Sequence, residues 1–208
     1  MNRTLGRTSC IAAALLVAGA AGTVPTLGAQ ESNGARGIEA SRRGGVVIAC
    51  RHGITDSADE NEATLRYDDP ATQRRLSAEG ERQARRMGEA FRSLQIPVAE
   101  VIASPMQRAR LTAELMFGRA QLDSAWHTRG EYYGGWKRDA RLAHLGQPVQ
   151  NGNRVIVSHI GTMYSVVPSI RGRLDEGDCA VIRPLGGTAF EVVDVVPWRE
   201  WERAAARR

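Results

Sequence analysis

The feature that most constrains this chain is a set of short apolar runs separated by helix-like segments. GVVIAC (45–50) is a β-branched run of the kind buried on both faces of a parallel sheet, AEVIAS (99–104) reads as a second strand, and RVIVSH (154–159) repeats the pattern of the first. Between the first two lies LSAEGERQARRMGEAFRSL (76–94), with Ser77 as a plausible N-cap. Its residues Ala84, Met87, Phe91 and Leu94 share one helical face. PMQRARLTAELMF (105–117) follows the second strand and places a proline where a first helical residue belongs. After the third strand, GTMYSVVPSI reads as a short helix. CAVIRP (179–184) and TAFEVVDVV (188–196) then form a hairpin around Leu185-Gly186-Gly187. Residues 118–153 show only a weak helical stretch around WKRDARLAHL. Strands alternating with helices imply an α/β layer fold with a mainly parallel sheet.

The 208 residues suit one domain, which should begin near Gly44 and run to the end of the chain. Arg3 and Arg7 precede the apolar run CIAAALLVAGAAG, with no acidic residue before Glu31, the layout of a secretory signal over 1–29. An uncleaved anchor is the alternative, but the run is nearer signal length than the roughly 20 residues that span a bilayer. The expected product is exported, periplasmic or secreted, with no stable membrane insertion. Residues 30–43, QESNGARGIEASRR, are polar and aperiodic and read as a flexible leader. Cleavage would remove Arg3 and Arg7 and take the formal charge from +5 to +3. Nucleic-acid binding is not expected from so small and dispersed an excess. Two cysteines would remain: Cys50 and Cys179 could pair in an exported protein, yet Cys50 sits in an apolar strand, so free thiols are the expectation.

Function concentrates where the strands stop. Ligands of open α/β sheets bind at the carboxyl ends of the strands. Here the first strand ends in Arg51-His52-Gly53, the second in Ser104 with Arg108 just beyond, and the third in Ser158-His159. If these strands are parallel neighbours, two arginines and two histidines meet at one sheet edge. Such a cluster suits a phosphate, because guanidinium presents a planar fork to phosphoryl oxygens and imidazole can be nucleophile or donor. The four histidines show no metal-ligand spacing, so neither a metal nor another cofactor is expected; His127 and His144 should face solvent or pack locally.

Four ordered segments, RHGIT (51–55), LSAEGERQA (76–84), SPMQRARLTAEL (104–115) and VIVSHIG (155–161), resemble the signatures of the histidine phosphatase superfamily, the phosphoglycerate-mutase-like fold. The ending EGDCAVIRPLGGTAFEVVDVVPWREW is similar to that of small exported bacterial members, so the resemblance spans 44–201. It implies a three-layer sandwich with a central, mainly parallel sheet flanked by helices. It also implies that His52 accepts the phosphoryl group, that Arg51 and Arg108 hold its oxygens, and that His159 completes the pocket as a donor. Thr55 matches the small hydroxyl residue after the first motif, and Ser104 lies at the second strand end beside the pocket. LSAEGERQA should form a helix packed behind the site.

Two features depart from the family pattern. The loop over 54–75 is long and acidic, either a lid or a solvated connection, and only 28 positions separate Glu131 from His159. Family members often place an acidic residue about twenty positions after the threonine that Thr112 matches. Glu131 lies 19 positions on, so it is the candidate proton donor, with Asp56 as runner-up and a plain surface glutamate as the alternative. The expected activity is metal-independent hydrolysis of a small phosphorylated substrate, such as a sugar phosphate or a phosphoprotein. The rivals are a phosphoglycerate-mutase-type transfer and a non-catalytic phosphate-binding protein.

Overall fold

The structure is a computed structural model that describes residues 34–56, 66, 69–127 and 135–208. The signal-like segment 1–29 and Glu131 lie outside the described residues.

In chain order the elements are α1 (Ala35–Arg43), β1 (Val47–Arg51), α2 (Ala78–Ser93), β2 (Val98–Ala103), α3 (Gln107–Phe117), β3 (Gln121–Leu122), α4 (Gly135–Gly146), β4 (Asn153–Ser158), α5 (Ile160–Tyr164), β5 (Cys179–Gly186), β6 (Ala189–Val196) and α6 (Trp198–Ala206). The six strands form one sheet in the order β3-β2-β4-β1-β5-β6. The first four are mutually parallel, whereas β5 and β6 are antiparallel. This is the expected α/β sandwich with its hairpin.

The apolar runs are continuous because both faces of the sheet are covered. Ile48, Cys50, Val101, Val155 and Val157 pack on one side with Met87, Phe91, Met116 and Trp201 from α2, α3 and α6. Val47, Ala49, Ile102 and Ile156 point the other way, towards Trp126, Leu145 and Met163. Alternation of side chains along each strand divides the same run between two cores.

Three sequence expectations need correction. Residues 35–43 are not a flexible leader but the helix α1, docked on β5 and β6. Its buried face is Gly37, Ile38, Ala40 and Ser41, and only one of these is a large apolar residue. A Cβ on Gly37 would stand 2.6 Å from Val196, so glycine allows the close approach. The buried Asn153 amide ties the helix end to the sheet, donating to Ser41 O at 2.7 Å and Pro97 O at 2.8 Å. The second correction is that Cys50 and Cys179 form a disulfide. They stand opposite one another in the β1–β5 ladder, a register that exists only because β5 returns antiparallel beside β1. Third, Pro105 precedes α3 rather than opening it; Met106 is the N-cap, and the N–H of Gln107 is met by Gln73 Oε1 at 2.7 Å.

Candidate active site

The sheet order answers whether the three polar strand ends meet. β4 lies between β2 and β1, so all three carboxyl ends are adjacent and point the same way. His52 leaves the end of β1 with its N–H bonded to Ser158 O at 2.9 Å. Arg108 comes from the first turn of α3 and is buried. His159 follows β4, and its ring centroid is 5.4 Å from that of His52.

The loop after His52 is pinned from two helices. Gly53 N–H donates to Thr112 Oγ1 at 3.0 Å, and that hydroxyl donates to Arg108 O at 2.7 Å. Ile54 N–H donates to Gln83 Oε1 at 3.0 Å, while Ile54 O accepts the Ser77 N–H at 3.0 Å. Ser77 caps α2 as expected, accepting the Gly80 N–H at 3.0 Å. A Cβ on Gly80 would lie 1.9 Å from Ile54 O, so only glycine lets the helix come this close. LSAEGERQA therefore does more than pack behind the site: Ser77, Gly80 and Gln83 fix the loop that carries the nucleophile candidate.

His52 Nδ1 lies 2.9 Å from Gly53 O. A carbonyl can only accept, so Nδ1 carries the hydrogen and Nε2 keeps its lone pair. Burial, and then the positive charges of Arg108, Arg51 and Arg74, lower the His52 pKa to about 3, against the raising effect of the Gly53 carbonyl. The imidazole is thus neutral across the physiological range. Burial and the neighbouring Arg108 also hold His159 well below its ordinary value. Ser104 Oγ accepts the Met106 N–H at 3.3 Å and lies 2.9 Å from His159 Nε2. If the Ser104 hydroxyl donates to Nε2, the hydrogen of the neutral His159 ring sits on Nδ1. That Nδ1 and Arg51 Nε are buried without a hydrogen-bond partner among the described residues.

Two participants were not singled out in the sequence, although Glu176 opens the ending EGDCAVIRP. Glu176 lies just before β5 and Arg74 just before α2. The Arg74 guanidinium donates to Glu176 Oε1 at 2.7 Å, and Thr55 Oγ1 donates to the same oxygen at 2.8 Å. Arg51 Nη2 is 3.4 Å from it and His52 Nδ1 4.0 Å. Thr55 therefore stands in this cluster, held by Glu176 and Arg74. Asp56 is anchored through its backbone N–H to Arg75 O at 3.1 Å, with an exposed side chain. His127 and His144 pack locally: His127 is buried, and half-buried His144 accepts the Trp126 indole N–H on Nδ1 at 3.0 Å. Among the described residues no cluster of three or more His, Cys, Asp or Glu could hold a metal ion, and no helix is long and apolar enough to cross a membrane.

Two buried neutral histidines give acid stability a definite sign. Unfolded histidine takes up a proton near pH 6.5, whereas His52 resists until about 3. The unfolded state therefore binds the proton first. The His52 contribution is complete above about pH 6.5 and falls by up to about 1.4 kcal/mol per pH unit as pH drops towards 3, and His159 acts in the same direction. Urea unfolding at pH 7, 5 and 4 should show this loss, and His52→Ala should make the slope shallower.

The family model described as histidine phosphatase superfamily (branch 1) matches residues 47–131, which include Arg51, His52 and Arg108. Over that stretch the chain is similar to the histidine phosphatase superfamily, the family its motifs resemble. Solved structures of that type share its fold. The protein histidine phosphatase SixA complexed with tungstate is 14% identical over 74% of this chain and 98% of its own, with a TM-score of 0.53. Phosphoserine phosphatase from Entamoeba histolytica, in complex with 3-phosphoglyceric acid, is 16% identical over 73% of this chain and 96% of its own, at 0.53. Phosphoglycerate mutase from Bacillus anthracis str. Sterne is 15% identical over 78% and 98%, at 0.50. No curated protein matches the chain by sequence. In this chain the ends of β1, β2 and β4 that carry three of those motifs lie side by side at one sheet edge.

Proposed function

We propose that the protein is an exported, metal-independent phosphomonoesterase that works through a phosphohistidine at His52. The observation that carries this reading is the neutral His52 ring, its Nδ1 tied to the Gly53 carbonyl and Nε2 left as the nucleophile among Arg51, Arg108 and His159. In the first step the Nε2 lone pair attacks phosphorus and the P–O ester bond breaks with its electron pair on the leaving oxygen. In the second, water attacks phosphorus, gives a proton to the carboxylate that protonated the leaving oxygen, and the P–N pair returns to Nε2. Arg51 and Arg108 stabilise the equatorial oxygens through both steps, and His159 Nδ1–H is placed as a further donor. The substrate is a small phosphorylated compound or a phosphoprotein side chain. Turnover of p-nitrophenyl phosphate should survive dialysis against EDTA and be inhibited by vanadate. Loss on chelation with recovery on adding a divalent ion would contradict the metal-free route.

We assign the leaving-group proton to Glu131. Glu131→Gln should slow hydrolysis of an alkyl phosphate by roughly 10²–10⁴-fold while sparing p-nitrophenyl phosphate, whose phenolate leaves unprotonated. Equal losses on both substrates would contradict the role, and no loss on either would return it to Asp56 or to water. Export rests on Arg3, Arg7 and the apolar run after them, and the Cys50–Cys179 disulfide suits an oxidising compartment. Cell fractionation with N-terminal sequencing should find a mature chain beginning near Gln30; a cytoplasmic chain retaining Met1 would refute it.

A further inference from the structure

We propose that Glu176 is a positioning residue of this site: a fixed counter-charge that holds Arg51, Arg74 and Thr55 around the phosphate pocket and stabilises the cationic ring that His52 becomes on phosphorylation. The inference rests on the phosphohistidine reading above.

The placement of Glu176 follows from topology. Because β5 runs antiparallel to β1, the residues just before β5 lie beside the carboxyl end of β1, where His52 sits. The turn is locked on both sides. Gly177 N–H donates to His52 O at 3.0 Å, and Gln83 Nε2 donates to Glu176 O at 2.8 Å. Gly177 has φ +92°, and a Cβ there would stand 2.3 Å from Gln83 Nε2, so this turn needs glycine. The Glu176 carboxylate then meets the Arg74 guanidinium, the Thr55 hydroxyl and Arg51.

The carboxylate is on the Nδ1 side of His52, 4.0 Å from that nitrogen, and Nδ1 already donates to Gly53 O. It therefore neither competes for Nε2 nor takes the nucleophile's proton. When the Nε2–P bond forms, the ring keeps its Nδ1 hydrogen and gains a full positive charge. In the resting site burial, and then the charges of Arg108, Arg51 and Arg74, hold His52 neutral. A bound phosphoryl dianion engages those arginines, and the carboxylate then favours the imidazolium. The same charge repels the dianion itself. Glu176 should thus oppose oxyanion binding while promoting phosphoryl transfer, a pair of signs that a merely structural residue would not show.

Rapid-quench measurement of phosphoenzyme formation, set beside the vanadate inhibition constant, tests this. Glu176→Gln keeps acceptors for Thr55 and Arg74 but removes the charge. It should slow phosphorylation of His52 by roughly 10- to 100-fold, the scale expected of one fixed charge beside a developing one, while vanadate binds equally well or more tightly. Glu176→Asp should recover much of the rate. A wild-type rate in the Gln variant would overturn the inference while leaving the His52 mechanism standing. So would parallel losses of rate and vanadate binding without rescue by Asp. Absence of any phosphoenzyme in the wild type would overturn both.

Discussion

Replacing His52 with alanine should lower turnover by about 10⁴-fold or more, because in the proposed mechanism His52 supplies the covalent step that divides hydrolysis in two. The fold should survive the change. His52 projects from the end of β1, and the contacts that fix its segment are made by backbone atoms: its own N–H to Ser158 O, Gly177 N–H to its carbonyl, and Gly53 N–H to Thr112 Oγ1. Loss of activity with an unchanged circular dichroism spectrum and undiminished unfolding temperature is the expected combination. Substantial residual turnover in the alanine variant would move the nucleophile elsewhere.

The second large effect belongs to Arg108. Its buried guanidinium is the strongest charge acting on His52 and in the proposed mechanism holds the oxyanion, so Arg108→Leu should reduce kcat/KM by roughly 10²–10³-fold. It should also change the pH profile. With Arg108 gone, the His52 pKa rises from about 3 towards the ordinary histidine value, and an acidic limb absent from the wild type enters the measured range. Arg108→Lys should restore the charge but not the planar fork, keeping the profile of the wild type with only part of its rate. A Leu variant with reduced rate and an unshifted acidic limb would separate oxyanion binding from control of the His52 proton.

What could be read from the sequence was whatever is local along the chain. Arg51-His52, Ser104 and Arg108, and His159 each follow an apolar strand directly, and parallel neighbouring strands bring such ends together without further information. Ser77 was legible because a helix cap is a short-range signal. Glu176 and Arg74 were not. They reach the site through the antiparallel return of β5 and the end of the long first loop, and neither placement has a periodicity to announce it. The same return sets Cys50 opposite Cys179, which composition alone could not distinguish from two buried thiols. Helix α1 was concealed by its small buried residues, since Gly37, Ala40 and Ser41 make close contact without the apolar stripe that marks a docked helix.

The central claim is a covalent bond between His52 Nε2 and phosphorus. Brief mixing with labelled substrate, rapid denaturation at alkaline pH and peptide mapping test it most directly. The account predicts a base-stable, acid-labile phosphoryl label on the peptide containing His52, absent from the His52→Ala protein. An acid-stable label, or a label on any other residue, would contradict it.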